Sequence, residues 1–156
     1  MVNFDRFTLK SQEAIAAARE IAFRGNHTEI APAHLLAALL RQEDGVVVPV
    51  LKKMGVCASA IAESIERSLS ALPRLEKGFA EAAASLELQE LIRRSLGEAD
   101  ALHDEYVSTE HLLLAAIADA GAAGEALREH GVSRESVLKA LTGIRGSQRV
   151  TDQNPE

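Results

Sequence analysis

Apolar residues recur along this chain at the three- and four-residue spacing of helices and seldom alternate as in a half-buried strand. Ala14, Ile15, Ala18, Ile21 and Ala22 fall on one stripe and predict a helix over about 11–24. Thr8 and Ser11 are both competent N-caps, and Gly25-Asn26 supplies a left-handed stop. Pro32 opens a second helix at its first turn, with Leu35, Leu36, Leu39 and Leu40 as its apolar face and Asp44-Gly45 as its end. A short third helix over 46–54 closes at Gly55. A fourth over 58–72 carries Ile61, Ile65, Leu69 and Leu72 on one side and stops at Pro73. Residues 73–84 read as a link. A second series begins near Ser85, with Leu88, Leu91, Ile92, Ser95, Ala99 and Leu102 at helical spacing. Ser108 caps the next helix, which has Glu110 in its first turn and Leu112, Leu113, Ala116 and Ile117 facing inward. A short helix over 122–130 ends at Gly131, and a last one over 133–142 buries Val137, Leu138 and Leu141.

The two series are copies. An offset of 77 places Leu9, Gln12, Glu13, Ile15 and Ala22 on Leu86, Gln89, Glu90, Ile92 and Ala99, and His34-Leu35-Leu36 on His111-Leu112-Leu113. An offset of 76 then places Leu51, Gly55 and Val56 on Leu127, Gly131 and Val132. Repeat one spans about 8–72 and repeat two about 85–142. From Gly143 onward the chain turns polar and loses its period, so 146–156 reads as a linker.

Composition sharpens this picture. Only 3% of residues are aromatic and none is Trp, so the core must come from Ala, Leu, Ile and Val. Ala and Leu favour helices, and an all-α domain follows. The net charge of −6 and the absence of clustered Lys and Arg argue against nucleic acid as a partner. No apolar run reaches the roughly 18–20 residues that span a bilayer. A lone Cys57 and an opening stretch without a signal-peptide pattern lead us to expect a soluble, cytoplasmic protein.

Candidate chemistry is sparse. No Gly precedes Lys and no G-x-G-x-x-G occurs, so the chain has no phosphate-binding loop and is not expected to hydrolyse ATP. The histidines at 27, 34, 103, 111 and 130 lack metal-ligand spacing, and His34 and His111 read as capping or packing side chains. Cys57 aligns with Ser133 and reads as a small N-cap residue rather than a nucleophile. No catalytic, cofactor or metal site is expected.

Arg6-Phe7-Thr8, Gln12, Ile30-x-Pro32-x-His34-Leu35-Leu36 and Val107-Ser108-Thr109-Glu110-His111-Leu112-Leu113 together resemble the duplicated N-terminal domain of Clp/Hsp100 unfoldases. The resemblance covers about residues 4–145. The tail, with Arg145-Gly146 and Arg149-Val150-Thr151-Asp152-Gln153, is similar to the linker that leads to the first ATPase module in the ClpB branch. The resemblance implies a domain over 1–145 of two pseudo-symmetric four-helix repeats, with 146–156 leading toward an AAA+ module. It implies weak binding of exposed apolar segments of unfolded or aggregated proteins. It also implies ATP and Mg in the motor modules of a hexamer, the DnaK system acting through other domains, and a monomeric isolated domain. Residues implicated in the family correspond to Thr8, Asp104 and Glu110 here. Adaptor docking or gating of the motor's entrance is the other role it allows. Relatives that bind phosphorylated arginine carry Glu before the His in both repeats. Here the first such position is Ala33, so a symmetric two-site receptor is not expected.

Overall fold

The computed structural model describes residues 4–75, 82–146 and 149–153, and part of the predicted link, including 76–81, lies outside them. After a single 3-10 turn at Phe4–Arg6 come α1 (Leu9–Arg24), β1 (Glu29–Ile30), α2 (Pro32–Arg41), α3 (Val47–Lys53) and α4 (Ala58–Ser70). The second half contains β2 (Ala83–Ala84), α5 (Leu86–Ala101), α6 (Thr109–Ile117), α7 (Ala122–Glu129) and α8 (Arg134–Arg145). The architecture is all-α, and the duplication is written into its local chemistry.

Several starts and stops are made the same way in both halves. Thr8 caps α1 by accepting from the Ser11 N–H at 3.2 Å, and Ser85 caps α5 by accepting from the Leu88 N–H at 3.1 Å. Of the two candidate caps for the first helix the chain uses Thr8. Ser11 is inside the helix and donates its hydroxyl to the Val107 carbonyl at 2.9 Å. At α2 and α6 the N3 histidines act in reverse. His34 Nδ1 accepts from the Ala31 N–H and His111 Nδ1 from the Ser108 N–H, both at 2.8 Å. These histidines take the place that Glu or Gln fills in a capping box. The stops match as well: Asn26 and His103 take left-handed φ of 55° and 59° after α1 and α5, and Gly55 and Gly131 take 77° and 80° after α3 and α7.

The halves are joined by exchange. Phe7 bridges Val107, and β2 pairs in parallel with β1, Ala84 opposite Ile30. Under the repeat offset these are one contact made twice: the lead-in of each repeat lies beside the link between the first two helices of the other. Helices obey the same rule, since α3 packs on α8 and α4 on α7. α2 and α6 are therefore surrounded by both repeats. Pro32 to Leu39 and all of α6 are buried, which is why these helices are apolar on every side rather than on one stripe. Each fully buried Leu here contributes about 1.5–3 kcal/mol.

Three expectations shift in position. α2 ends at Arg41, before Asp44-Gly45, because Gln42 turns out at ψ 125° and its Nε2 donates to the Lys10 carbonyl at 2.9 Å. α8 continues past Thr142 to Arg145, whose guanidinium is anchored inside the domain. Residues 149–153, part of the segment read as linker, are hydrogen-bonded back onto the domain. Among the described residues no helix is long and apolar enough to cross a membrane.

Two helical glycines give opposite predictions. A Cβ on Gly124 of α7 would fall 1.8 Å from the Asp119 carbonyl oxygen, whereas a Cβ on Gly97 of α5 meets nothing within 4 Å. Gly124→Ala is expected to destabilise by about 1–3 kcal/mol despite alanine's better propensity, and Gly97→Ala to stabilise by up to about 1 kcal/mol. Urea denaturation of both variants checks the pair.

Candidate functional site

A groove of about 410 Å3 runs along the seam between the repeats. Thr8 and Lys10 flank it at the start of α1, Val46 and Pro49 at the start of α3, and Thr109 and Glu110 at the start of α6. Ile144 and Arg145 from the end of α8 and Arg149 and Val150 from the tail complete it. Its volume lies in the range of small-ligand and peptide pockets, and its lining mixes apolar faces with a few polar groups. Ile144, 42% exposed, presents an aliphatic face to solvent beside it.

The three residues that the family resemblance implies converge here, at different depths. Thr8 and Glu110 line the groove, yet both are largely covered, and the Thr8 hydroxyl is committed to the α1 cap. The Glu110 carboxylate accepts from the Ser108 hydroxyl and lies 3.6 Å from Arg145 Nη1. Asp104 sits beneath, buried, and both its oxygens are used. Oδ2 accepts from His111 Nε2 at 2.7 Å, while Oδ1 accepts from Arg145 Nη2 and from the Val150 N–H at 2.8 Å. With His111 Nδ1 accepting from Ser108, the ring proton belongs on Nε2, where it meets Asp104. Burial alone would raise the Asp104 pKa. The Arg145 guanidinium, the Val150 amide and His111 outweigh burial and hold the carboxyl below its ordinary value. Arg145 thus joins the buried carboxylate to the groove's own, Glu110.

Sequence reasoning missed Arg145, which looks like the last polar residue of a fading helix. One signal was available: the repeat offset lays Asp104 on His27 and Arg145 on Leu69. In repeat one, His34 Nε2 meets His27 Nδ1 at 2.8 Å, so a neutral histidine pair occupies the position that a carboxylate, a histidine and an arginine occupy in repeat two. Beside His27 lies a hollow of about 500 Å3 rimmed by Arg24, Arg41 and Arg74. Arg24 and Arg41 are already paired with Glu20 and Glu66, and none of the implied site residues lies there. Ala33, the counterpart of Glu110, is buried and brings no charge. The seam groove is the better candidate.

Comparison with known proteins places the family and the fold. The family model described as the Clp repeat (R) N-terminal domain matches residues 6–130. The chain is 35% identical over 158 residues to the chaperone protein ClpB of Bacillus anthracis, covering 99% of this chain and 18% of that protein. Its fold is similar to the Hsp104 N-terminal domain from Candida albicans, with a TM-score of 0.82 at 22% identity over 94% of this chain and 96% of the other. It is also similar to a ClpV N-domain in complex with a VipB peptide, with a TM-score of 0.72 at 20% identity, covering 95% and 92%.

The two histidine sites make a pH prediction. Burial, reinforced by His27, lowers the His34 pKa from 6.5 to about 4, and burial and Arg74 lower that of His27. The unfolded imidazoles take up protons near pH 6.5, which the folded ones refuse. Stability is therefore full above about pH 6.5 and falls as the pH drops toward about 4. His34→Gln keeps an acceptor for the Ala31 N–H, so it is expected to flatten the urea midpoint between these pH values. An unchanged pH slope would contradict the assignment.

Proposed function

The chain belongs to the Clp N-terminal repeat family, and from that premise we propose that it is the client-recognition domain of a ClpB-type disaggregase. It binds exposed apolar segments of unfolded or aggregated protein and hands them to motor modules for ATP-driven threading. The chain spans only 18% of its Bacillus anthracis relative, so those motor modules, their hexamer and any cooperation with the DnaK system belong to this proposal. The observation that carries the reading is the seam groove. It brings Val46, Pro49 and Ile144 beside Thr8 and Glu110, where both repeats contribute a helix start. Apolar side chains of a client would lie on those aliphatic faces, while the Glu110 carboxylate meets its polar backbone, and Thr8 shapes the rim from below by capping α1. Asp104 acts from below as a positioning residue, holding Arg145 against Glu110. Affinity is expected to be modest, because ordering a flexible client offsets much of the contact energy.

A second reading, an adaptor-docking or entrance-gating module, draws on the same groove and on the ClpV N-domain that binds a VipB peptide. Deleting residues 1–142 from the full-length protein separates the two. Loss of activity on large aggregates supports capture, and a raised basal ATPase supports a gate.

The direct test is an NMR titration of the isolated domain with reduced, carboxymethylated lactalbumin. Shift changes are expected at Glu110, Ile144 and Val46, with micromolar or weaker affinity. Glu110→Ala is expected to weaken binding by about three- to tenfold, the equivalent of one polar contact. Absence of any change in the groove would sink the proposal.

A further inference from the structure

The tail meets the domain through main-chain groups of Val150 and Gln153 and through the Gln153 side chain, whose Nε2 donates to the Phe7 and Asp5 carbonyls at 3.2 and 3.4 Å. The Val150 N–H donates to Asp104 Oδ1 at 2.8 Å, and its carbonyl accepts from the Glu105 and Tyr106 N–H groups at 2.8 and 3.2 Å. The Gln153 carbonyl accepts from the Leu9 N–H at 2.9 Å. Only one side chain is deeply sunk, that of Val150, which is 7% exposed and forms part of the groove wall. Main-chain groups are common to every polypeptide, so the partners of the Val150 N–H and carbonyl and of the Gln153 carbonyl read backbone with little regard to sequence. Repeat one also seats a non-helical segment at the matching place, through different main-chain bonds. The segment after α4 crosses the α1–α2 link there, with the Leu75 N–H on the Asn26 carbonyl at 2.9 Å and Arg74 bridged to His27. Under the repeat offset, Arg74 and His27 correspond to Val150 and Asp104. Each repeat therefore offers a seat for a passing non-helical strand, and in repeat two that seat opens directly into the groove.

We propose that residues 149–153 are an internal ligand, occupying a seat for non-helical polypeptide with which a captured client segment exchanges. The seat consists of the Asp104 carboxylate, the Glu105, Tyr106 and Leu9 N–H groups, and the apolar slot filled by Val150. Its partner is a peptide with an aliphatic residue in that slot and a free N–H on it, so proline there is excluded. Docked, the tail competes with clients; released, it frees the seat and one wall of the groove. The inference rests on the client-capture reading of the groove, and the test below separates the two.

The experiment measures fluorescence anisotropy of a labelled peptide with the sequence of residues 147–156 against the full chain and against Val150→Asp, which sets a second carboxylate beside Asp104 and expels the tail. Val150→Pro, which removes the amide donor to Asp104, is the second variant, and thermal melts establish that both are folded. Both variants are expected to bind the peptide about tenfold more tightly than the unaltered chain. A peptide with proline in place of valine is expected not to bind, and reduced, carboxymethylated lactalbumin to compete. Equal affinity for altered and unaltered chains, or full binding of the proline peptide, overturns the seat. Tight peptide binding that lactalbumin does not displace overturns the exchange. Lactalbumin binding equally well to all three chains overturns the inference while leaving client capture standing.

Discussion

A carboxylate buried in repeat two, that of Asp104, fixes the geometry on which the groove depends. A buried charge is tolerated only where it is paired and hydrogen-bonded. Here the partners come from three separate elements: His111 at the start of α6, Arg145 at the end of α8, and the Val150 amide in the tail. Satisfying one side chain therefore brings a helix start, a helix end and a non-helical segment to a common point. Removing one partner from such a cluster typically costs about 3–5 kcal/mol, because the remaining charge is left uncompensated. Arg145 carries this constraint to the surface, where it lies against Glu110.

The duplicated scaffold shows how the constraint arose on only one side. Both repeats cap their second helix with an N3 histidine, and in both the far ring nitrogen meets the residue seven positions earlier. In repeat one that residue is His27 and the pair is neutral, with Leu69 where Arg145 would stand. In repeat two it is Asp104, ionised and tied to arginine. The framework of exchanged strands and helices is shared, while the electrostatics are not. The seam groove carries Glu110, whereas the matching position of repeat one is Ala33.

Much of the fold was legible in the residues. Stripes such as Ala14, Ala18 and Ala22, caps such as Ser85, and stops such as Gly55 and Gly131 are local signals with local causes. The duplication carried the roles of His34 and His111 as well. What escaped notice is non-local. β1 and β2 hold two residues each, too few for any alternation to register, and they exist because of the partner repeat. Arg145 and Val150 lie in a polar stretch whose composition says linker, and only the folded position of Asp104, more than forty residues earlier, gives them an anchor. Of the implied site residues, Thr8 and Glu110 could be placed on helix starts from sequence. The depth of Asp104 could not, since its partners Arg145 and Val150 lie more than forty residues away in sequence.

The central claim, that one buried carboxylate holds α6, α8 and the tail in register, is tested most directly by amide hydrogen exchange. In the unaltered chain the Val150, Glu105 and Tyr106 amides should be protected together. In Asp104→Asn they should lose that protection as a group, while the α2 amides of repeat one remain slow. Protection at all three that survives the substitution would show that the tail and the groove wall are held by something other than Asp104.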